Sequence, residues 1–401
     1  MDIGLSGKVL PIHPQPKDDE IFSSWFCRIA QENGIKLHTL EVKLWGRDKQ
    51  IWTRDIDKSI DAETLEKVAS VCGTSIERAS QACLRSYEGI LFEKLNTDGN
   101  SHWIKPAGIF HRKRSRCSMQ FCPSCLATDE TPYFRKKWRL ALSTFCDVHD
   151  VLLHDCCPGC KSPVVFHRQE LGQRWTNKIE SLTLCVNCGF DLKRAPVFQA
   201  PVLEIHSWLT LKSQMFFIDQ GWTFTNNLTF QFSHLYFNVL RNLIHKLRSN
   251  WTTGKLLDFF DNQFRIPIDL KKHRKEQFEF FDLYERHFLL QVTTWFLADW
   301  PNRFLEIGEH LKIRYSELMR EFLSVPYWYV SEARLLEFKP VGPSEGEKEA
   351  MRKLLIKTVN PDDRKKLERI ILKRNSQVSM SKYFDDLNSD LVHVVVMTDH
   401  H

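Results

Sequence analysis

Apolar residues recur three and four apart along most of the chain, and that spacing predicts a mainly helical protein. Ile21, Trp25, Ile29 and Ala30 share one face behind the acidic start Asp18-Asp19-Glu20, and Gly34 ends the run. A second helix is predicted over 37–44. Asp61 opens another, with Leu65, Val68 and Ala69 on one side; Cys72-Gly73-Thr74-Ser75 turns the chain and Ile76 to Leu84 continues it. Helix, Gly-containing turn, helix is the helix-turn-helix pattern, more common as scaffold than as DNA reader. The second helix of this pair carries few basic residues for a reader. After Pro196 and Pro201 the same periodicity returns over 203–217, 232–247, 256–264 and 278–297, with a further helix pair over 304–323. A Gly/Pro/Ser linker at 340–347 precedes charged helices at 348–357 and 361–374, and 391–397 reads as a short strand or loose tail.

Between these helical halves the pattern changes to paired metal-ligand residues. Cys122 and Cys125, Cys146 and His149, Cys157 and Cys160, and Cys185 and Cys188 each have two residues between them. Such a spacing lets both side chains point at one ion while turn amides hydrogen-bond the thiolates. Two pairs complete the closed tetrahedron of structural zinc. The sequential assignment gives Cys122, Cys125, Cys146 and His149 to one ion and Cys157, Cys160, Cys185 and Cys188 to the other. Cys156 competes with Cys157, His154 competes with His149, and an interleaved pairing demands a more entangled loop path. Four protein ligands per ion leave no position for a water, so both ions are expected to hold the fold and not to catalyse.

Composition narrows the class. The chain has 401 residues and 12 cysteines, and its start lacks the apolar core of a secretory leader, which favours metal over disulfides in a reducing cytoplasm. No apolar run approaches membrane-spanning length. The net charge of +6 is mild, but no acidic residue lies between Asp98 and Asp129, where Lys105, Arg112, Lys113, Arg114 and Arg116 fall. Together with Arg135, Lys136 and Lys137 they form the candidate phosphate-contacting edge; the bland alternative is a solvated face. Lys271-Lys272-His273-Arg274-Lys275 reads as a basic surface loop, and 167–178 as a polar ribbon within the second metal unit. Gly4-Leu-Ser-Gly7-Lys8 lacks the spacing of a phosphate-binding loop, and the His149 to His154 stretch has no Glu beside its first His, so neither enzyme motif is met. Cys27, Cys72 and Cys83 fall on apolar faces and are expected in the core.

The organisation that follows is an extended arm over 1–17, free to order on binding; an N-terminal helical, helix-turn-helix-like domain over 18–105; and a tandem zinc module over 106–200 with small ribbon or knuckle β elements. A C-terminal helical domain over 201–340 and a helical extension with tail over 341–401 complete it.

Several stretches together resemble the TniQ/TnsD family of transposition proteins. They are Phe121-Cys-Pro-Ser-Cys-Leu-Ala127, Thr131-Pro-Tyr-Phe134, Trp138-Arg-Leu-Ala141, Cys146-Asp-Val-His149, Val151-Leu-Leu153 and Cys157-Pro-Gly-Cys160. Glu20-Ile-Phe-Ser-Ser-Trp25-Phe-Cys-Arg28-Ile-Ala30 resembles the family's opening helix, and Leu65 to Leu84 its following helical pair. The resemblance covers roughly residues 15–200. It implies a non-catalytic target-selection protein of a bacterial transposon, acting in the cytoplasm. Such a protein binds target DNA or docks on an RNA-guided effector complex, as in CRISPR-associated transposons, and recruits an AAA+ ATPase that brings the transposase. A homodimer is compatible with that role. The alternative from the residues alone is a zinc-containing helix-turn-helix DNA-binding regulator.

Overall fold

A computed structural model describes residues 9–110, 113–168, 181–224, 230–248, 253–266, 276–319 and 325–336, with 322, 349 and 353 as single positions. Arg112, the basic loop 271–275, most of the polar ribbon and the elements expected beyond 340 lie outside the described residues. The protein is mainly helical, and one apolar core runs through all three parts.

The N-terminal part contains α1 (Phe22–Glu32), α2 (Leu37–Trp45), the short α3 (Ile56–Ser59), α4 (Ala62–Val71) and α5 (Ile76–Gln81). Asp61 caps α4 by accepting from the Thr64 amide, and Ser75 caps α5 by accepting from Arg78, which fixes the turn between them. Cys27, Cys72 and Cys83 are buried in this core, as expected. The arm expected to be free is instead strapped down over residues 9–17. Leu10 is buried and its amide bonds Val71 O at 2.8 Å, the Trp25 indole N–H donates to Pro14 O at 2.7 Å, and Arg28 donates to Gln15 O at 2.9 Å. Arg28 also forks onto the fully buried Glu20.

The central part is largely irregular. It begins with a hairpin of β1 (Ile109–Phe110) and antiparallel β2 (Lys113–Arg114), followed by α6 (Pro123–Thr128) and a series of tight turns. The C-terminal part comprises α7 (Ile205–Gln220), the hairpin β3 (Trp222–Phe224) and β4 (Phe230–Phe232), α8 (Ser233–Arg248), α9 (Thr253–Phe264), α10 (Leu283–Ala298), α11 (Asn302–His310), α12 (Tyr315–Met319) and α13 (Tyr327–Ala333). Helix α10 is buried almost all round and packs chiefly along α7, so it forms the centre of this half.

Polar groups on α10 fasten the C-terminal half to the centre. The fully buried Arg286 donates to Ala141 O at 2.7 Å, Gln120 Oε1 at 2.9 Å and Asp155 Oδ1 at 2.8 Å. Lys105 reaches the same Asp155 oxygen at 3.3 Å. Burial alone would raise the Asp155 pKa, but Arg286 and Lys105 override it and hold it below the usual value. At the next residue, His287 Nδ1 meets Thr144 Oγ1 at 2.9 Å and Nε2 meets Pro201 O at 2.8 Å, an arrangement that suits the neutral ring with its proton on Nε2.

Two predictions follow from this junction. Arg286→Ala strands Asp155 and two buried acceptors and should cost about 3–5 kcal/mol in reversible denaturation, whereas a substitution at an exposed α7 position should cost almost nothing. Burial pushes the His287 pKa down from 6.5 to about 4, so the unfolded chain takes up a proton that the fold refuses. Stability should therefore fall as pH drops from 6.5 towards 4, by about 3 kcal/mol from this residue. His287→Gln should flatten that part of the pH–stability curve relative to the unsubstituted protein.

Candidate metal centre

The ligand pairs are presented by two kinds of turn. At the first, extended backbone stops at Cys122, Pro123 starts α6, and the Cys122 sulfur accepts from the Cys125 amide at 3.5 Å. The other three pairs share one knuckle. The first ligand's amide donates five residues ahead: Cys146 to Val151 O at 2.7 Å, Cys157 to Ser162 O at 3.0 Å, Cys185 to Phe190 O at 2.9 Å. The residue after the second ligand then donates back to the first ligand's carbonyl, at 2.8 Å in Asp150, Lys161 and Gly189 alike. All three of these residues are left-handed, with φ of 54°, 60° and 71°. That conformation closes the loop and turns both ligand side chains inward.

The turns gather two donor sets, Cys122, Cys125, Cys146 and His149 in one and Cys157, Cys160, Cys185 and Cys188 in the other, with all donor atoms of a set within 4.8 Å of one another. In the first, Cys125 Sγ lies 3.5 Å from Cys146 Sγ and 3.3 Å from His149 Nδ1; that nitrogen is 3.7 Å from Cys122 Sγ and 3.5 Å from Cys146 Sγ. In the second, Cys157 and Cys188 sulfurs are 3.6 Å apart, and Cys160 and Cys185 sulfurs 3.7 Å. Sulfurs around a tetrahedral zinc at about 2.3 Å are separated by about 3.8 Å, so both sets have the right size and chemistry for zinc. His154 is engaged elsewhere, its Nε2 2.7 Å from Pro196 O and its ring stacked on Phe121. Cys156 belongs to neither set.

The electrostatics of the sets suit a cation held among the donors. Hydrogen bonds from the Cys125 and Cys146 thiols pull Cys122 down to about 3, while the same contacts drive Cys125 far up. Three thiolates this close to one another and to the imidazole are unfavourable by themselves, and a dication among the donors removes the conflict. In the second set burial pushes Cys157 up to about 12, and a hydrogen bond from Ser162 draws Cys160 down to about 6.

The candidate phosphate edge is largely turned inward. Lys105 is buried against Asp155; Arg135 forks onto Asp129 at 2.8 and 3.0 Å; Lys136 donates to Gln81 O and Ser86 Oγ at 2.6 Å; Lys137 pairs with Asp147 at 2.7 Å. Burial pushes the ammonium pKa values of Lys105 and Lys136 down to about 8. Arg114 lies against Trp52 O and Arg54 O, and Arg116 stacks on the Phe280 ring. Lys113 and Arg116 remain exposed. Lys105, Arg135 and Lys136 are therefore internal fasteners in this conformation: Phe134 and Trp138 carry Arg135 and Lys136 into the core beside α1, and the Lys105 amide donates to Arg139 O at 2.9 Å. Arg139, which ends the basic run 135–139 read as part of that edge, is likewise turned inward, buried between Asp55 and Asp57 at 3.0 and 3.1 Å. The acidic pair Asp55 and Asp57, two residues apart, was its only signal.

Residues 11–153 match the TniQ family. The match covers just over a third of the chain. It takes in the strap, the N-terminal helices and the whole first donor set, and stops just before Cys157. No curated protein matches the chain. A TniQ domain marks a transposition-associated target-selection protein. Among the described residues no helix is long and apolar enough to cross a membrane.

Elemental analysis of protein purified without chelator should find two zinc ions per chain. Cys125→Ser should remove one ion and disorder the first unit, since zinc in small sites contributes on the order of 10 kcal/mol. His154→Gln should keep both.

Proposed function

We propose that the protein is a non-catalytic adaptor of transposon target selection in the bacterial cytoplasm. It links a target, either DNA or an RNA-guided effector complex, to an AAA+ ATPase and through it to the transposase. The observation that carries this reading is the TniQ match over residues 11–153, a stretch that includes the N-terminal helices and the first donor set. Zinc in either set would have four protein donors and hence no open position for a reacting water, so its role is to hold the unit rigid.

Contact with DNA is supported by a small edge. Lys113 and Arg116 are exposed next to the half-buried Arg114, enough to neutralise a few phosphates and give weak, salt-sensitive affinity. The helix pair α4–α5 supports a regulator less well. Helix α5 spans only Ile76–Gln81, and its one arginine, Arg78, donates back to Pro16 O at 3.2 Å.

The test is retention of the cognate AAA+ ATPase on the immobilised zinc-replete protein, with a non-hydrolysable nucleotide and DNA present. Retention is expected, with severalfold loss when Cys125→Ser breaks the first set. If no ATPase is retained while the protein binds one DNA sequence preferentially, the regulator reading replaces this one.

A further inference from the structure

The hairpin that opens the central part carries an aromatic ring on its outside. Its ladder pairs Ile109 with Arg114 and Phe110 with Lys113. Two further bonds carry it back towards the core, from the Ser115 amide to Gly108 O at 3.1 Å and from the Arg116 amide to Ala107 O at 3.4 Å. Gly108 has a φ of 56°, and a Cβ there would come within 2.6 Å of Ser115 Oγ, so the close approach of the two strands requires glycine. Side chains alternate across such a ladder. Ile109 and Arg114 are half-buried, and Arg114 is fastened to Trp52 O and Arg54 O, both at 3.4 Å. Phe110 and Lys113 therefore take the opposite face, where Phe110 is 73% exposed. A slip of one residue would turn Phe110 inward, so the register that the Arg114 anchor holds also holds the ring in solvent.

The surroundings of the ring are cationic. Lys113 stands across the ladder from it, and Arg54 and Arg116 are exposed at the base of the hairpin. Carboxylates beside that base are engaged: Asp55 and Asp57 accept from Arg139, and Asp98 lies 3.5 Å from Arg54. An exposed ring among cations suits a polyanion that also offers flat apolar faces, which is nucleic acid. A base inside a duplex is already stacked on both sides, and a ring can reach it only by unstacking a step. An unpaired base offers an open face without that cost. We propose that Phe110 stacks on an unpaired base while Lys113 takes a neighbouring phosphate, so that the hairpin prefers single-stranded or locally opened DNA to closed duplex. The inference rests on the DNA-contacting edge proposed above and names the form of DNA that this edge selects.

The experiment titrates the full zinc-replete chain into a fluorescein-labelled mixed-sequence single strand and, separately, into its duplex, following anisotropy at several salt concentrations. The unsubstituted protein should bind the single strand more tightly. Phe110→Ala should weaken single-strand binding about tenfold, as the loss of one base–aromatic stack does, and change duplex binding little; Phe110→Trp should restore it. Lys113→Ala should weaken both forms and reduce the salt slope by about one. Circular dichroism and zinc content of each variant check that it folds. Unchanged single-strand affinity in Phe110→Ala overturns the proposal, and loss of ATPase retention by that variant would then assign the ring to a protein contact. If Lys113→Ala still weakens both forms in that case, the phosphate edge survives; if it is silent too, both fall. Equal loss on single strand and duplex in Phe110→Ala also overturns the proposal, because the ring would then not distinguish an open base from a stacked one.

Discussion

A carboxylate removed from water must be matched by cations, and Asp155 shows how much of this protein hangs on that constraint. It sits between His154 and Cys156, where the chain leaves the first donor set and enters the second. Arg286 comes to it from the C-terminal half and Lys105 from the segment preceding the hairpin. No member of the trio can be removed without leaving another charged and buried. The geometry also serves neighbours: the same guanidinium satisfies Ala141 O and Gln120 Oε1, and Gln120 in turn donates to Trp138 O and Leu140 O. The irregular central part has little secondary structure to satisfy its backbone, and these side chains supply the missing partners.

A parallel arrangement joins the centre to the N-terminal helices. Arg139 lies between Asp55 and Asp57, and Ser23 donates to Asp57 through both its amide and its hydroxyl. Tyr133 donates to Asp19, and the Lys136 amide to Asp19 O. The three parts are thus fastened by buried polar contacts as well as by a shared apolar core. Metal in the first donor set would stiffen the loops on which those contacts are mounted.

The helices were legible because their cause is local. The 3.6-residue period placed α1, α2, α4, α7 and α8 within a few residues of their positions, and the caps at Asp61 and Ser75 lie at the boundaries they signal. The donor sets were legible for the same reason, since a two-residue gap between ligands is a property of one turn. The basic run 135–139 was not legible. Its residues look like a surface stripe, and their partners Asp19, Gln81, Asp129 and Asp147 are set by tertiary packing that no short window contains. The left-handed residues after the ligands were equally hidden, since only Gly189 among Asp150, Lys161 and Gly189 announces such a backbone.

The strap over residues 9–17 changes what the opening of the domain means. Pro14 and Gln15 lend their carbonyls to Trp25 and Arg28, and the Gln15 side chain donates to Cys72 O at 2.7 Å. Prolines at 11, 14 and 16 keep this segment extended and leave fewer amides in need of partners, which fits a lining whose carbonyls face inward. A protease that nicked the chain just before Asp18 would therefore uncover the indole edge of Trp25 and one arm of Arg28 together. Sensitivity to such a nick would report on the integrity of the helical core beneath the strap and not on a loose tail.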